Sequence, residues 1–166
     1  LVVGVGVTSE DVFVMESSGR LVKMRLINGE FQDEELLEMS VVGLLISSDD
    51  VIAIVGSENL YVRPDGGEPM AVAISGATAV AFGPTGGALG LGTESGLFYA
   101  IDTTTGGAWG SVEFDSPVSS VAWCAQEKWL VGVGHHIHSV SGDGSQILGS
   151  MDVGGMVEGL SCSSDG

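Results

Sequence analysis

Positive charge is what this sequence has least of. Lys and Arg together number 5 against 22 Asp and Glu, which gives a formal net charge of −17. A protein that binds DNA or RNA needs basic side chains to displace counterions from phosphates, so this balance excludes nucleic acid as a partner. The same deficit disfavours an anionic membrane surface. The carboxylate excess suits either a halophilic source with very high salt or an ordinary acidic protein of good solubility.

Long apolar runs and cysteines are also scarce. No stretch of 18 apolar residues is present, so neither a transmembrane helix nor membrane insertion is predicted. Cys124 and Cys162 are too few for a disulfide framework or a Cys-based zinc site, and we expect both to be small buried hydrophobic side chains. No signal peptide is visible, and the first residue is Leu1 rather than Met. We therefore predict an incomplete N-terminus and a cytoplasmic location.

Glycine, in contrast, is abundant. The chain has 27 Gly but only 4 Pro, and 44% of its residues are hydrophobic while 16% are charged. The glycines follow no three-residue period, which excludes a collagen-like chain. The composition favours a folded protein with many tight turns and strands covered on both faces.

A repeat of about 40 residues organises the sequence. The segment VVGVGVTSEDVFVMES at 2–17 aligns without gaps with VVGLLISSDDVIAIVG at 41–56. Looser copies are ATAVAFGPTGGALGLGT at 77–93, VSSVAWCAQEKWLVGVG at 118–134 and VEGLSCSSDG at 157–166. Equivalent anchor residues are spaced by 39, 36, 41 and 39 residues, and they are Val5, Leu44, Val80, Val121 and Leu160. This period is close to that of a four-stranded propeller blade.

Each unit reads as four short strands separated by turn residues. The predicted units are 2–40, 41–76, 77–117, 118–156 and an incomplete 157–166. A helical solenoid would need apolar residues three and four apart, and only Asp33–Met39 (DEELLEM) approaches that pattern. Since this segment fills the slot of an outer strand, we favour an acidic strand or loop there and keep a short helix as the alternative.

The units resemble the WD40-like group of β-propellers over essentially the whole chain. The stretch VSSVAWCAQEKWLVGVGHHIHSV at 118–140 is similar to the start of such a blade, with an apolar inner strand, a turn and a second apolar strand. No unit has the Trp-Asp dipeptide that names the group. Quinoprotein-like and lactonase-like propellers therefore remain open as alternatives.

The predicted fold is all-β: a β-propeller of four-stranded antiparallel blades, with about four blades and the first strand of a fifth. Because a closed propeller lets its terminal strands complete one shared blade, we expect this chain to be part of a larger ring. The missing blades would come from the rest of the protein or from a second chain. The three tryptophans, Trp109, Trp123 and Trp129, lie in strand patterns and are expected in the core.

The resemblance implies a binding surface on the loops that join second to third strands and one blade to the next. That surface would carry five residues, namely Arg20, Glu58, Glu94, His135 and Asp115. Separately, His136 and His138 point to one face of a strand, so the two imidazoles are a candidate metal pair with a carboxylate from a neighbouring blade. No motif of fixed spacing supports that pair.

No catalytic constellation is present. The glycine runs lack the strand-to-helix context of a dinucleotide site, and there is no G-x-S-x-G motif. We predict a non-enzymatic scaffold for protein–protein interaction, with no cofactor, whose partner is a basic or neutral protein or the remaining blades of the same complex. Two alternatives stay open: an enzyme or metal-binding propeller whose site lies partly outside this chain, and a cell-surface adhesive domain.

Overall fold

The chain folds into antiparallel sheets, as a computed structural model shows. The structure describes residues 2–8, 11–27, 30–38, 41–56, 58–64, 67–124 and 127–163. Every regular element in these ranges is a strand, and the strands form four sheets of four. In each sheet the strands follow one another in sequence order, each antiparallel to the last. The predicted all-β class and the four-stranded blades are confirmed.

The first two blades contain β1 to β8. Blade 1 consists of β1 (Val2–Val7), β2 (Asp11–Glu16), β3 (Arg20–Ile27) and β4 (Glu30–Glu38). Blade 2 consists of β5 (Val41–Ile46), β6 (Ile52–Gly56), β7 (Leu60–Arg63) and β8 (Met70–Val72). The acidic segment at 33–38 is thus strand and not helix, and it pairs with β3 with one irregularity of register between Leu21 and Val22.

The last two blades contain β9 to β16. Blade 3 consists of β9 (Ala77–Phe82), β10 (Ala88–Thr93), β11 (Leu97–Asp102) and β12 (Ala108–Glu113). Blade 4 consists of β13 (Val118–Cys124), β14 (Lys128–Val133), β15 (His136–Ser141) and β16 (Ile147–Asp152). Among the described residues no helix is long and apolar enough to cross a membrane.

The apolar core lies between neighbouring blades. One cluster joins blades 1 and 2 through Phe13 and Ile54, and a second joins blades 2 and 3 through Leu60 and Leu91. The third and largest cluster joins blades 3 and 4 around Trp129. A single four-stranded sheet leaves two apolar faces open, so the stacking of sheets is what removes these side chains from water.

Small residues in the second strand of blade 3 allow blade 4 to approach closely. A Cβ atom on Gly90 would lie 2.6 Å from Cζ3 of Trp129, and one on Gly92 would collide with Val118. The ring of Trp129 therefore packs directly on the backbone of β10. Glycine at these two positions leaves the room that the side chains of blade 4 occupy.

Blade 1 holds a partly buried ionic cluster, in which Asp11 and Lys23 are buried and Arg25 is exposed. The carboxylate of Asp11 contacts Nζ of Lys23 at 2.8 Å and Nε of Arg25 at 3.0 Å. Burial alone would raise the pKa of Asp11, but hydrogen bonds from Lys23 and Arg25 outweigh burial and hold that pKa below its ordinary value. The two ion pairs therefore link β2, which carries Asp11, to β3, which carries Lys23 and Arg25.

The segment after blade 4 follows β13 in the same direction. The hydroxyl of Ser119 donates to the carbonyl of Val157 at 2.5 Å, and the N–H of Val157 donates to the carbonyl of Gly134 at 2.8 Å. An equivalent bond joins the hydroxyl of Thr78 to the carbonyl of Val118 at 2.6 Å, between blades 3 and 4. The segment thus occupies the position of a next first strand, although residues 157–163 join no sheet of the described chain.

Two expectations about side chains need correction. Cys124 and Cys162 form a disulfide with their Cα atoms 5.4 Å apart, and they are not two separate buried thiols. Trp109 is 51% exposed, whereas Trp129 is fully buried. Trp109 stands on the outer strand β12, where a neighbouring blade covers little of the sheet, so its expected place in the core is wrong.

Candidate functional site

One end of the blades carries the turns predicted to bind a partner. We call it the loop end, and define it by the turns between the second and third strands of each blade together with the blade-to-blade connections. Glu58, Glu94 and His135 lie in such turns and are exposed. Arg20 begins β3 just after the equivalent turn, and Asp115 lies in the connection from blade 3 to blade 4; both are exposed. Antiparallel alternation places all five at this end.

Close backbone packing fixes the loop end between blades 3 and 4. Gly96, with a φ of +86°, closes the turn after β10, and a Cβ there would lie 2.8 Å from the carbonyl oxygen of Ser116. The N–H of Phe114 donates to the carbonyl of Gly96 at 2.9 Å. On blade 4, the N–H of Val153 donates to the carbonyl of His135 at 2.9 Å. The turn and the connection therefore hold each other in position.

A cavity of about 600 Å³ opens at the loop end between blades 3 and 4. It brings together four of the predicted residues, namely Asp115, His135, His136 and His138. Arg20, Glu58 and Glu94 do not line it. The rest of the wall consists of Ser116, which follows Asp115 in the same connection, and of six residues that the sequence reasoning missed: Glu113, Phe114, Val133, Gly134, Ile147 and Ser150. The repeat pattern already placed most of these residues near the loop end, at the end of β12, in the connection that follows it or on β16, and this position could have identified them.

The histidines are ordered by stacking. The rings of His136 and His138 lie on one face of β15, with centroids 5.9 Å apart and planes inclined by 30°. The ring of Phe114 packs on His138, with centroids 4.6 Å apart. Nδ1 of His138 is buried and has no hydrogen-bond partner among the described residues. Burial, and then the neighbouring His136, lower the pKa of His138, so its imidazole is neutral at physiological pH.

The arrangement offers two carboxylates, three imidazoles and two hydroxyls over an apolar floor. Among the described residues, no group of three or more His, Cys, Asp or Glu side chains is arranged to hold a metal ion. The metal pair His136 and His138 therefore stays a prediction. The cavity is chemically suited to bind cationic and hydrogen-bonding groups, with Phe114 and Ile147 as apolar contacts.

Comparison with known proteins identifies the fold. No known family profile matches the chain, and no curated protein matches it in sequence. The solved structure of apo AztD from Citrobacter koseri matches with a TM-score of 0.74 and 15% identity over 93% of this chain and 48% of that one. A second Citrobacter koseri AztD structure matches with a TM-score of 0.75 and 14% identity, with the same coverage.

A chain in the crystal structure of the mitotic checkpoint complex is similar as well. It matches with a TM-score of 0.73 and 18% identity, over 96% of this chain and 55% of that one. This chain thus spans about half the length of the chains it resembles. At such identities the likeness concerns the fold alone, and it shows that the four blades form a β-propeller-like structure.

Proposed function

We propose that this chain is a non-enzymatic β-propeller scaffold of the WD40-like group, and that its loop end binds a protein partner through a basic segment. The observation that carries the proposal is the cavity between blades 3 and 4, where Asp115 and His135 meet on a surface held by the backbone. A pre-organised surface reduces the entropy lost on binding. The repeated blades supply the rigid support.

Charge supports a basic partner. Glu58, Glu94 and Asp115 are exposed at one end of a chain whose formal net charge is −17. Complementary charge accelerates association and excludes acidic partners. Exposed charges at a rim contribute mainly to the rate of encounter, whereas contacts in a desolvated pocket contribute most of the affinity. We therefore assign steering to Glu58 and Glu94, and anchoring to the cavity.

The similarity to a chain of the mitotic checkpoint complex is consistent with a role in an assembly. At 18% identity, this similarity does not identify the partner. We expect the partner to present Lys or Arg side chains to Asp115 and Glu113, and an apolar group to Phe114 and Ile147.

A charge-matched pair of variants tests the proposal. The variant Glu113→Gln with Asp115→Asn removes two charges from the cavity at the loop end, and the variant Asp49→Asn with Glu68→Gln removes two from exposed turns at the opposite end. Each immobilised variant is incubated with the native lysate, and bound proteins are quantified by mass spectrometry. We expect a stoichiometric partner to bind the wild type and the control equally and the loop-end variant at least tenfold less.

Three outcomes contradict the proposal. The first is equal loss of the partner from both variants, and the second is loss from neither. The third is the absence of any stoichiometric partner from a chain that turns over a substrate or retains a metal. Circular dichroism of all three proteins checks that the fold is unchanged. Rising salt concentration should weaken the binding of the partner to the wild type, and it should weaken binding to the loop-end variant by a smaller factor.

A further inference from the structure

A second cavity lies between blades 3 and 4 at the end opposite the loop end. Its volume is about 740 Å³, which is within the range of small-molecule sites. Its walls include Trp109 from β12, Trp123 from the end of β13, and three acidic side chains, Asp102, Glu127 and Asp143. Among the described residues that line it, none is Lys, Arg or His. We call it the tryptophan cavity.

Packing against neighbouring groups positions both tryptophans of the cavity, Trp109 and Trp123. Trp123 meets the buried ring of Trp129 edge to face, with centroids 4.6 Å apart, and the indole N–H of Trp129 donates to the carbonyl of Gly142 at 3.0 Å. Trp109 is followed by Gly110, where a Cβ would lie 2.5 Å from the carbonyl oxygen of Asp143. Strand β12 of blade 3 therefore touches the backbone of a blade 4 turn, and this contact places Trp109 beside that turn.

The turn of blade 4 is fixed from its other side too. Gly144 has a φ of +73°, and a Cβ there would lie 2.7 Å from Cβ of Ala100 on β11. Only glycine accepts both that φ and that approach without strain. The blade 4 turn that borders the cavity is thus held by close backbone contacts with β11 and β12 of blade 3.

Asp102 and Asp143 are held in fixed orientations by hydrogen bonds. Asp102 accepts a hydrogen bond from the N–H of Thr104 at 2.7 Å. Asp143 accepts hydrogen bonds from the hydroxyl of Ser141 at 2.5 Å and from the N–H of Ser145 at 3.1 Å. Burial would raise the pKa of Asp102, but the bonds from Thr104 and its neighbour lower it. The hydroxyl of Ser141, followed by the groups of Ser145, lowers the pKa of Asp143.

We propose that the tryptophan cavity binds an organic cation, namely an alkylated ammonium group. Tryptophan is the aromatic residue with the strongest attraction for a cation over its face. An alkylated ammonium group is weakly hydrated and has an apolar shell, so it suits a wall of indoles with negative charge nearby. A metal ion suits this cavity less well, because Asp102 and Asp143 already accept several hydrogen bonds within their own turns and an indole has no lone pair to offer.

Two sources supply this chemistry: a free quaternary ammonium compound, and the trimethylated side chain of a lysine in a peptide. The site is separate from the loop end, so the proposal does not depend on the proposed partner. Loss of partner binding in the loop-end variant and loss of cation binding at the tryptophan cavity are therefore measured independently.

Titration calorimetry with choline tests the proposal. The neutral isostere 3,3-dimethyl-1-butanol has the same shape without the charge, and sodium chloride in large excess suppresses general attraction to an acidic protein. We expect choline to bind at least tenfold more tightly than the isostere. Equal binding of the two, or no heat from choline at millimolar concentration, overturns the proposal.

Variants locate the binding. Trp109→Ala should weaken choline binding at least tenfold, while Leu148→Ala, which removes an exposed apolar side chain of blade 4 outside the cavity, should leave it unchanged. Asp102→Asn keeps the side-chain acceptor of the turn and removes the charge, so it should also weaken binding. Unchanged binding in Trp109→Ala, or equal loss in Leu148→Ala, overturns the proposal.

Peptides distinguish the two sources. A short unstructured peptide with one trimethyllysine is compared with the same peptide carrying lysine and with free choline. Tighter binding of the trimethylated peptide than of choline assigns the site to a modified protein. Tighter binding of choline assigns it to a free metabolite. Preference for the unmodified lysine peptide over both contradicts the alkylated ammonium class.

Discussion

Strands β10 and β16 have equal length and opposite environments. All six residues of β10 in blade 3 are buried, whereas all six residues of β16 in blade 4 are exposed. Both contain leucine and glycine: Leu89 and Leu91 are fully buried, and Leu148 is 58% exposed. Residue type therefore does not decide burial in this molecule. Position within the blade and the presence of a neighbouring sheet decide it.

The largest expected effect concerns the packing that buries β10. Trp129→Ala should lower the free energy of unfolding by about 3–5 kcal/mol, because a fully buried ring is lost and the carbonyl of Gly142 loses its indole donor. The matched control Trp109→Ala removes a half-exposed ring from an outer strand and should change stability by less than about 0.5 kcal/mol. Urea denaturation followed by circular dichroism measures both. Similar losses in the two variants would contradict the comparison.

The disulfide should have the next largest effect, since it ties the segment after β16 to the inner strand β13. Cys124→Ser or Cys162→Ser should cost about 2–4 kcal/mol of stability. The double variant should cost no more than either single variant, because neither cysteine retains its bond. Additive losses in the double variant would show that each thiol acts alone, as the sequence reasoning expected. Thermal unfolding with and without a reducing agent is the measurement.

The same bridge bears on location. Disulfides persist mainly in oxidising compartments, so the bridge favours such a compartment over the predicted cytoplasm. Location stays a proposal. Alkylation of free thiols in intact cells, before lysis, distinguishes the two: protection of both cysteines favours the oxidising compartment, and labelling of both favours the cytoplasm.

The smallest effect compares two glycines directly. Gly90→Ala in β10 should cost about 1–3 kcal/mol, because the new methyl group would lie 2.6 Å from the ring of Trp129. Gly149→Ala in β16 meets no atom within 4 Å and should stabilise the strand by up to about 1 kcal/mol. Urea denaturation of the two variants gives the sign of each change. A change of the same sign in both variants would contradict the idea that the different burial of β10 and β16 decides the effect of an added methyl group on stability.

The repeat made most of the fold predictable. Turn residues and apolar runs recur at a period that fits one sheet, so the strands of each blade follow from the sequence. The exposure of Trp109 does not follow, because alternation along β12 says which face a side chain points to and not whether another sheet covers that face. Likewise, the convergence of Asp115 and His138 on one cavity depends on the packing of blade 3 on blade 4, where the ring of Phe114 contacts that of His138, and the sequence pattern does not reveal this contact.

The disulfide could have been predicted. Cys124 and Cys162 are separated by 38 residues, which is within one residue of the 39-residue spacing between these two units. Equivalent residues in the first strands of consecutive units lie side by side, so two cysteines one period apart are placed to bond. The expectation of two separate thiols weighed their number and overlooked their spacing.

The bonds from Thr78 to Val118 and from Ser119 to Val157 have a consequence for how insertions act. Each connects one unit to the next through a donor at the same place in the first strand, although the two bonds span 40 and 38 residues. The contact between neighbours therefore depends on position within the first strand and not on the number of residues between two first strands. One residue inserted into an exposed turn should leave both bonds intact. One residue inserted into β13 between Val118 and Ser119 separates the acceptor of one bond from the donor of the other, so it should disturb the contacts on both sides of blade 4.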